Sequence, residues 1–235
     1  MSAQLFHFPG VWYPHYPAKE GFIMRSLVAF GLILSLAACQ SAFYSAAEKI
    51  GFHKRDILVN RVEASRDAQG EAQEAFQSAL EQLVALIEYD GGDLEKIYRE
   101  TERNYTRAES AATDVRDRVQ AVEDVAEALF EEWEAEIEEY GSASLKASSQ
   151  RKLHETRERY AVTIEAMRAS TRKMDPVLAS LKDNVLYLKH NLNARAVSAI
   201  RVEFETIERD IRILIDDMQR SIASSQAFIE SMQGE

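Results

Sequence analysis

The residue with the clearest chemistry in the chain is its only cysteine, Cys39. A single thiol excludes an intramolecular disulfide, so its use must be as a modified group or a buried side chain. Other groupings offer weaker chemistry. Glu131, Glu132, Glu134, Glu136, Glu138 and Glu139 form the densest acidic cluster, and carboxylates attract Ca²⁺ or Mg²⁺. Ca²⁺ requires six to eight oxygens converging on one point, whereas successive helical side chains diverge. A solvated helix face is therefore the favoured reading, and no metal site is expected. His53, His154 and His190 are scattered and form no Glu-x-x-His pair of the di-iron type. There is no Gly-x-Ser-x-Gly elbow and no Gly-x-x-x-x-Gly-Lys-Ser/Thr phosphate loop. No catalytic residue, enzymatic activity or cofactor is expected.

The segment around Cys39 gives the thiol its context. Met24 and Arg25 precede an apolar run from Leu27 to Leu36, and Leu36, Ala37 and Ala38 lead directly into the cysteine. A short basic region, roughly ten apolar residues and a small-residue cleavage site are the parts of a secretory signal. The run is too short for a membrane-spanning helix, which needs ~20 residues. The competing reading is a buried helix carrying a core cysteine. Leu36-Ala37-Ala38-Cys39 also resembles the lipobox of bacterial lipoproteins. That resemblance implies diacylglycerol on the Cys39 thiol, cleavage before Cys39 and acylation, with palmitate among the usual chains, of the new amine. It also implies sorting to the outer membrane rather than the inner one, because Gln40 is not the aspartate that retains such proteins. Residues 1–23, rich in aromatics and proline, are expected to be an over-extended reading frame with Met24 as the true start. Residues 24–38 are then the signal peptide, 39–52 the lipidated cysteine and tether, and 53–235 the helical domain.

Composition says what that domain is made of. Hydrophobic residues make up 46% of the chain, with nine glycines and four prolines, which is too apolar for disorder. Good helix formers dominate after residue 40. Val62, Ser65, Ala72, Phe76, Ala79, Leu83 and Leu86 fall at heptad spacing, with Gln69 the polar exception, before Asp90-Gly91-Gly92-Asp93 supplies a turn. There a glycine would take the left-handed helix-terminating conformation and Asp93 would cap the next helix. A second stripe (Val115, Val119, Val122, Ala126, Leu129, Trp133, Tyr140) predicts a helix from Leu94 to about Tyr140, its buried face marked at the end by Trp133, Ile137 and Tyr140. Gly141-Ser142-Ala143-Ser144 breaks it. Leu153, Tyr160, Met167, Met174, Leu181 and Leu188, joined by Ile164, Leu178, Val185 and Leu192, predict a third helix carrying a kink at Pro176. The stripe resumes out of phase at Ile200, Phe204, Ile207, Ile211, Leu214 and Met218, with Asn191 and Asn193 able to supply a turn. The expected fold is all-α, an elongated antiparallel four-helix bundle or pair of coiled-coil hairpins, with helices of roughly 35 to 47 residues. A helix continuous through Asn193 is the rival.

Acidic residues outnumber Lys plus Arg by 39 to 28, a formal net charge of −11. Such a field disfavours a nucleic-acid partner. The most unusual local composition runs from Tyr187 to Arg195, where Tyr187, Lys189, His190, Asn191, Asn193 and Arg195 could form a partner-binding tip. A capped interhelical turn is the competing, simpler use of the same residues.

The chain after the lipobox resembles a family of uncharacterised envelope proteins from gammaproteobacteria, catalogued as a domain of unknown function, number 2959. The resemblance rests on Tyr44 to Lys49, His53 to Val59, Tyr89 to Leu94, Glu123 to Phe130 and Tyr187 to Ala194. It implies a helical secreted or lipid-anchored protein and carries over no activity or site residue. Taken together, the sequence leads to the expectation of an envelope lipoprotein on the periplasmic face, a spacer or adaptor with an envelope protein partner or self-association. The alternative is a carrier of lipid or apolar ligand that opens along Phe76, Met167, Met174 and Phe204.

Overall fold

The computed structural model describes residues 54–234, which form four helices: α1 (Lys54–Ile87), α2 (Leu94–Glu139), α3 (Ala143–His190) and α4 (Ala194–Gln233). Each break between them has a local cause. The Asp93 carboxylate accepts from the Lys96 amide at 3.0 Å and starts α2. The Ser142 hydroxyl accepts from the Leu145 amide at the start of α3. Asn193 Oδ1 accepts from the amides of Arg195 (3.0 Å) and Ala196 (3.2 Å) to start α4. Such caps each contribute about 1 kcal/mol by satisfying orphan donors of the first turn. The third and fourth helices are thus separate, broken at Asn191–Asn193, and the rival continuous helix is excluded. Gly91 and Gly92 do take positive φ (145° and 115°), which only glycine adopts readily. They lie in the connector, however; α1 already ends at Ile87, so no glycine terminates it.

Pro176 lies inside α3, which runs unbroken over 48 residues, about 72 Å at 1.5 Å per residue. Its missing N–H leaves the Arg172 carbonyl without the usual bond from four residues on. Packing on both sides holds the helix through that point, since Met174, Val177 and Leu178 are all buried.

The four helices form a ring in which α1 contacts α2 and α4, and α3 contacts α2 and α4. All neighbours are antiparallel: Lys54 of α1 pairs with Glu132 near the end of α2, and Arg66 of α1 bonds Gln226 near the end of α4. The α1–α2 and α3–α4 turns therefore share one end, and the α2–α3 turn lies at the other. The α1–α2 contact is the most extensive. Buried alanines on both helices (Ala72, Ala75 and Ala79; Ala108 and Ala112) let their backbones approach closely. The core follows the heptad stripe closely in α1, where Val62, Ser65, Gln69, Ala72, Phe76, Leu83 and Leu86 are all buried. Stripe and structure part at helix ends: Tyr140 and Leu192 are exposed, Trp133 and Phe204 half-buried, and Ile137 takes the buried place near the end of α2.

One layer of the core is polar. Ser65 donates towards Met167 Sδ across the bundle at 3.7 Å, and one turn on Gln69 Nε2 donates to Ser65 Oγ at 3.5 Å. Gln69 Oε1 and Ser221 Oγ are fully buried with no hydrogen-bond partner among the described residues. Beside them on α4, the buried Asp217 carboxylate is held by Lys173 of α3 and by Arg220. An unmet buried acceptor costs about 1–3 kcal/mol, so this layer is a weak point of the core.

Candidate functional site

Cys39 and the residues before it, Leu36, Ala37 and Ala38, lie outside the described residues, as do His53 and the whole of 1–52. Among the described residues, no helix is long and apolar enough to cross a membrane. No group of three or more His, Cys, Asp or Glu side chains among them is arranged to hold a metal ion.

The structure divides the Tyr187–Arg195 tip into two kinds of residue. Asn191 and Asn193 build the turn: Asn191 Nδ2 donates to the Tyr187 carbonyl at 3.0 Å, the Asn191 amide donates to Leu188 O at 3.0 Å, and Asn193 caps α4. Lys189 and His190 are exposed in the last turn of α3, where a positive charge faces the negative end of the helix dipole. Arg195 is exposed in the first turn of α4. Tyr187, 44% exposed, lines a shallow cleft of about 400 Å³ with Asn184 of α3 and Ile200 and Glu203 of α4. Leu186 and Leu192, each near 45% exposed, add apolar surface to this end of the bundle.

The acidic cluster is the counterpart of a basic stretch on α3 and the start of α1. Glu132 pairs with Lys54 (2.9 Å), Glu134 with Arg157 (2.5 Å) and Glu138 with Lys146 (2.7 Å). The hydrogen bond from Arg157 holds the Glu134 carboxyl below the usual carboxylate range. The same guanidinium lies over the Phe130 ring, 5.1 Å from its centroid. Phe130 meets Tyr160 edge-on at 5.4 Å, and Tyr160 meets Phe228 of α4 at 6.4 Å, which closes this end of the bundle with a ladder of rings. Burial, with the nearby Glu123 charge second, pushes the Tyr160 phenol up to about 12. His154 is exposed beside Glu158 on the same helix, at 3.3 Å.

A cleft that the sequence reading missed lies higher on the same pair of helices. Above the ion pair between Arg116 of α2 and Asp175 of α3, the α2–α3 seam opens into a groove of about 810 Å³. Tyr105, Glu109, Ser110 and Thr113 form one wall, and Leu178, Ala179 and Lys182 the other. Tyr105 donates to Glu109, and burial together with that bond pushes its phenol up to about 12. The signal available in the sequence was the row Thr106, Ser110, Thr113 and Asp117, short polar side chains at four-three-four spacing where the seam elsewhere carries large ones.

The described residues define an all-α protein, a four-helix bundle whose surface features are clefts and tips between helices. The chain belongs to the family described as a protein of unknown function (DUF2959), whose model matches residues 43–232. No curated protein and no solved structure matches it.

Proposed function

We propose that the chain is an envelope lipoprotein, anchored through lipid on Cys39, whose four-helix body works as a non-catalytic spacer or adaptor on the periplasmic face of the outer membrane. The observation that carries this reading is Leu36-Ala37-Ala38-Cys39 closing a short apolar run ahead of a body whose helices begin at Lys54. Helices of 34 to 48 residues, polar on their outer faces, suit a body that holds components apart or together. The adaptor reading is preferred to a carrier because three of the four residues along which a carrier would open, Phe76, Met167 and Met174, are packed with no exposure, with Phe204 half-buried. Acyl chains contribute ~0.8 kcal/mol per buried methylene, so several together hold a protein firmly to a membrane. Changing Cys39→Ser should release the protein from the membrane fraction or leave it at precursor mass. Unaltered fractionation and mass in that variant would overturn the anchor. Periplasmic crosslinking that repeatedly recovers no protein with the wild type would overturn the adaptor.

A further inference from the structure

The α2–α3 seam changes character along its length. Towards the α2–α3 turn it is bridged by the Phe130–Tyr160 contact, by the Trp133 indole donating to Ser149 Oγ at 2.8 Å, and by ion pairs such as Glu123–Arg168 at 2.6 Å, and the cleft that remains beside Ile137 and Leu153 is small, about 360 Å³. Above Arg116 the heptad stripe continues, but its occupants change. Glu109 stands three heptads before Phe130 and Thr113 three heptads before Glu134, on the same face of α2. Tyr105, the large ring on this wall, bonds Glu109 of its own helix instead of crossing to the wall of Leu178, Ala179 and Lys182 on α3. The resulting groove runs past Tyr105 to Asp117, about 18 Å of helix or more than three turns. Leu178, 8% exposed, and the exposed Ala179 supply an apolar strip within it.

Glu109, Asp114, Asp117 and Asp175 line the groove against Arg116 and Lys182. Arg116 pairs with Asp175, and Asp114 with Arg118, which leaves Glu109 and Asp117 as its acidic groups outside an ion pair and Lys182 as the cation. The hydroxyls of Thr106 and Thr113 donate to carbonyls of their own helix, at 3.0 Å each; the Thr113 oxygen accepts from Arg116 at 3.5 Å, whereas the Thr106 oxygen is left as an acceptor towards the groove. A lining of carboxylates and acceptor hydroxyls beside an apolar strip matches a ligand that presents N–H donors and positive charge on one side and small apolar groups on the other.

We propose that this groove is a docking site for a cationic amphipathic helix of a partner protein, its Lys and Arg side chains meeting Glu109 and Asp117 and its apolar face meeting Leu178 and Ala179. The proposal deepens the adaptor reading and rests on it for the partner being a protein. Docking of this kind lays a short helix into a groove between two others, with charge setting orientation and encounter rate. A second copy of this chain is the less fitting occupant, since each copy carries a net charge of −11.

The test uses the full chain in a mild non-ionic detergent and two labelled helical peptides of about fifteen residues, alike in their Leu and Ala face but carrying Lys or Glu on the other. Fluorescence anisotropy should detect binding of the Lys peptide and none of the Glu peptide. Glu109→Lys with Asp117→Lys should weaken the Lys peptide at least about tenfold, whereas Glu131→Lys with Glu139→Lys, an equal charge change at exposed sites elsewhere on α2, should leave it within about twofold. Ser110→Trp fills the groove without changing charge and should weaken binding as strongly, with circular dichroism confirming retained helix. Equal weakening by both charge pairs would reduce the effect to bulk charge and overturn the site. So would an unaffected Ser110→Trp, or a dimer of the chain alone that Ser110→Trp dissociates in sedimentation. None of these readouts involves Cys39, so a failure here and a failure of the anchor are separable.

Discussion

Between Glu123 and Glu134 the α2–α3 seam is bridged by rings and ion pairs, with only a smaller cleft of about 360 Å³ beyond them beside Ile137 and Leu153, whereas between Tyr105 and Asp117 the same two helices face each other across a groove of about 810 Å³. Pro176, which removes one backbone bond of α3, sits in the groove wall between Asp175 and Leu178, and heptad phase, which is shared, does not explain the difference. The occupants of equivalent positions do: Phe130 reaches across, and Glu109 cannot. A heptad stripe thus fixes which face of a helix turns inward, while the size and polarity of each occupant decide whether the seam at that level is closed.

The largest effect should come from opening the closed half. Phe130, 7% exposed, is the middle of the contacts among Arg157, Tyr160 and α2. Phe130→Ala should cost about 3 kcal/mol or more in denaturant unfolding, as removal of a buried ring does. A loss below about 1 kcal/mol would mean that the ring ladder does not close the seam. A smaller effect of opposite sign belongs to the polar layer between the two halves. Replacing Gln69→Leu removes a buried acceptor that has no partner among the described residues, and should raise stability by about 1 kcal/mol. A destabilised Gln69→Leu protein would show that the glutamine is satisfied in solution. The smallest effect is on pH dependence. The Tyr160 phenol is raised by burial to about 12 in the folded chain, against an unfolded value of 10.0. The folded state therefore holds its proton more tightly, so this contribution is fully present below pH 10 and is lost as pH rises towards 12. Tyr160→Phe should lack that alkaline loss. Melting temperatures of the two proteins compared at about pH 9 and about pH 11 will show it, and parallel declines would exclude Tyr160 as its source.

Much of this architecture was legible in the sequence because the 3.6-residue period constrains it strongly. The α1 stripe from Val62 to Leu86 is buried throughout, Gln69 included, and the Asp93 cap and the Gly141–Ser142 break stand where turn chemistry puts them. The break at Asn191–Asn193 required the structure, because an asparagine caps a helix or sits within one according to whether its side chain captures free amides, and Asn193 captures two. Tyr140 and Leu192 departed from their stripes at helix ends, where the period continues but neighbouring helices no longer cover it. The tip was visible as a composition, yet two of its six residues are spent on the turn itself. The groove was present in the sequence only as the row of short polar residues Thr106, Ser110, Thr113 and Asp117, because its width depends on what Glu109 and Thr113 face on α3, and pairing across helices is set only by the fold.

Two arginines bear on how the polypeptide could be rearranged. Arg55, in the first turn of α1, donates to the Met232 carbonyl at the end of α4, and Arg201, near the start of α4, donates to the Ile87 carbonyl at the end of α1. Each guanidinium satisfies a terminal carbonyl of the other helix and opposes the negative end of its dipole. The first and last helices are therefore clasped reciprocally, and the ring of four is nearly closed through space where it is open along the chain. Linking Gln233 to Lys54 and cutting at Gly91–Gly92 would permute the order of the helices while leaving every one of their neighbours unchanged.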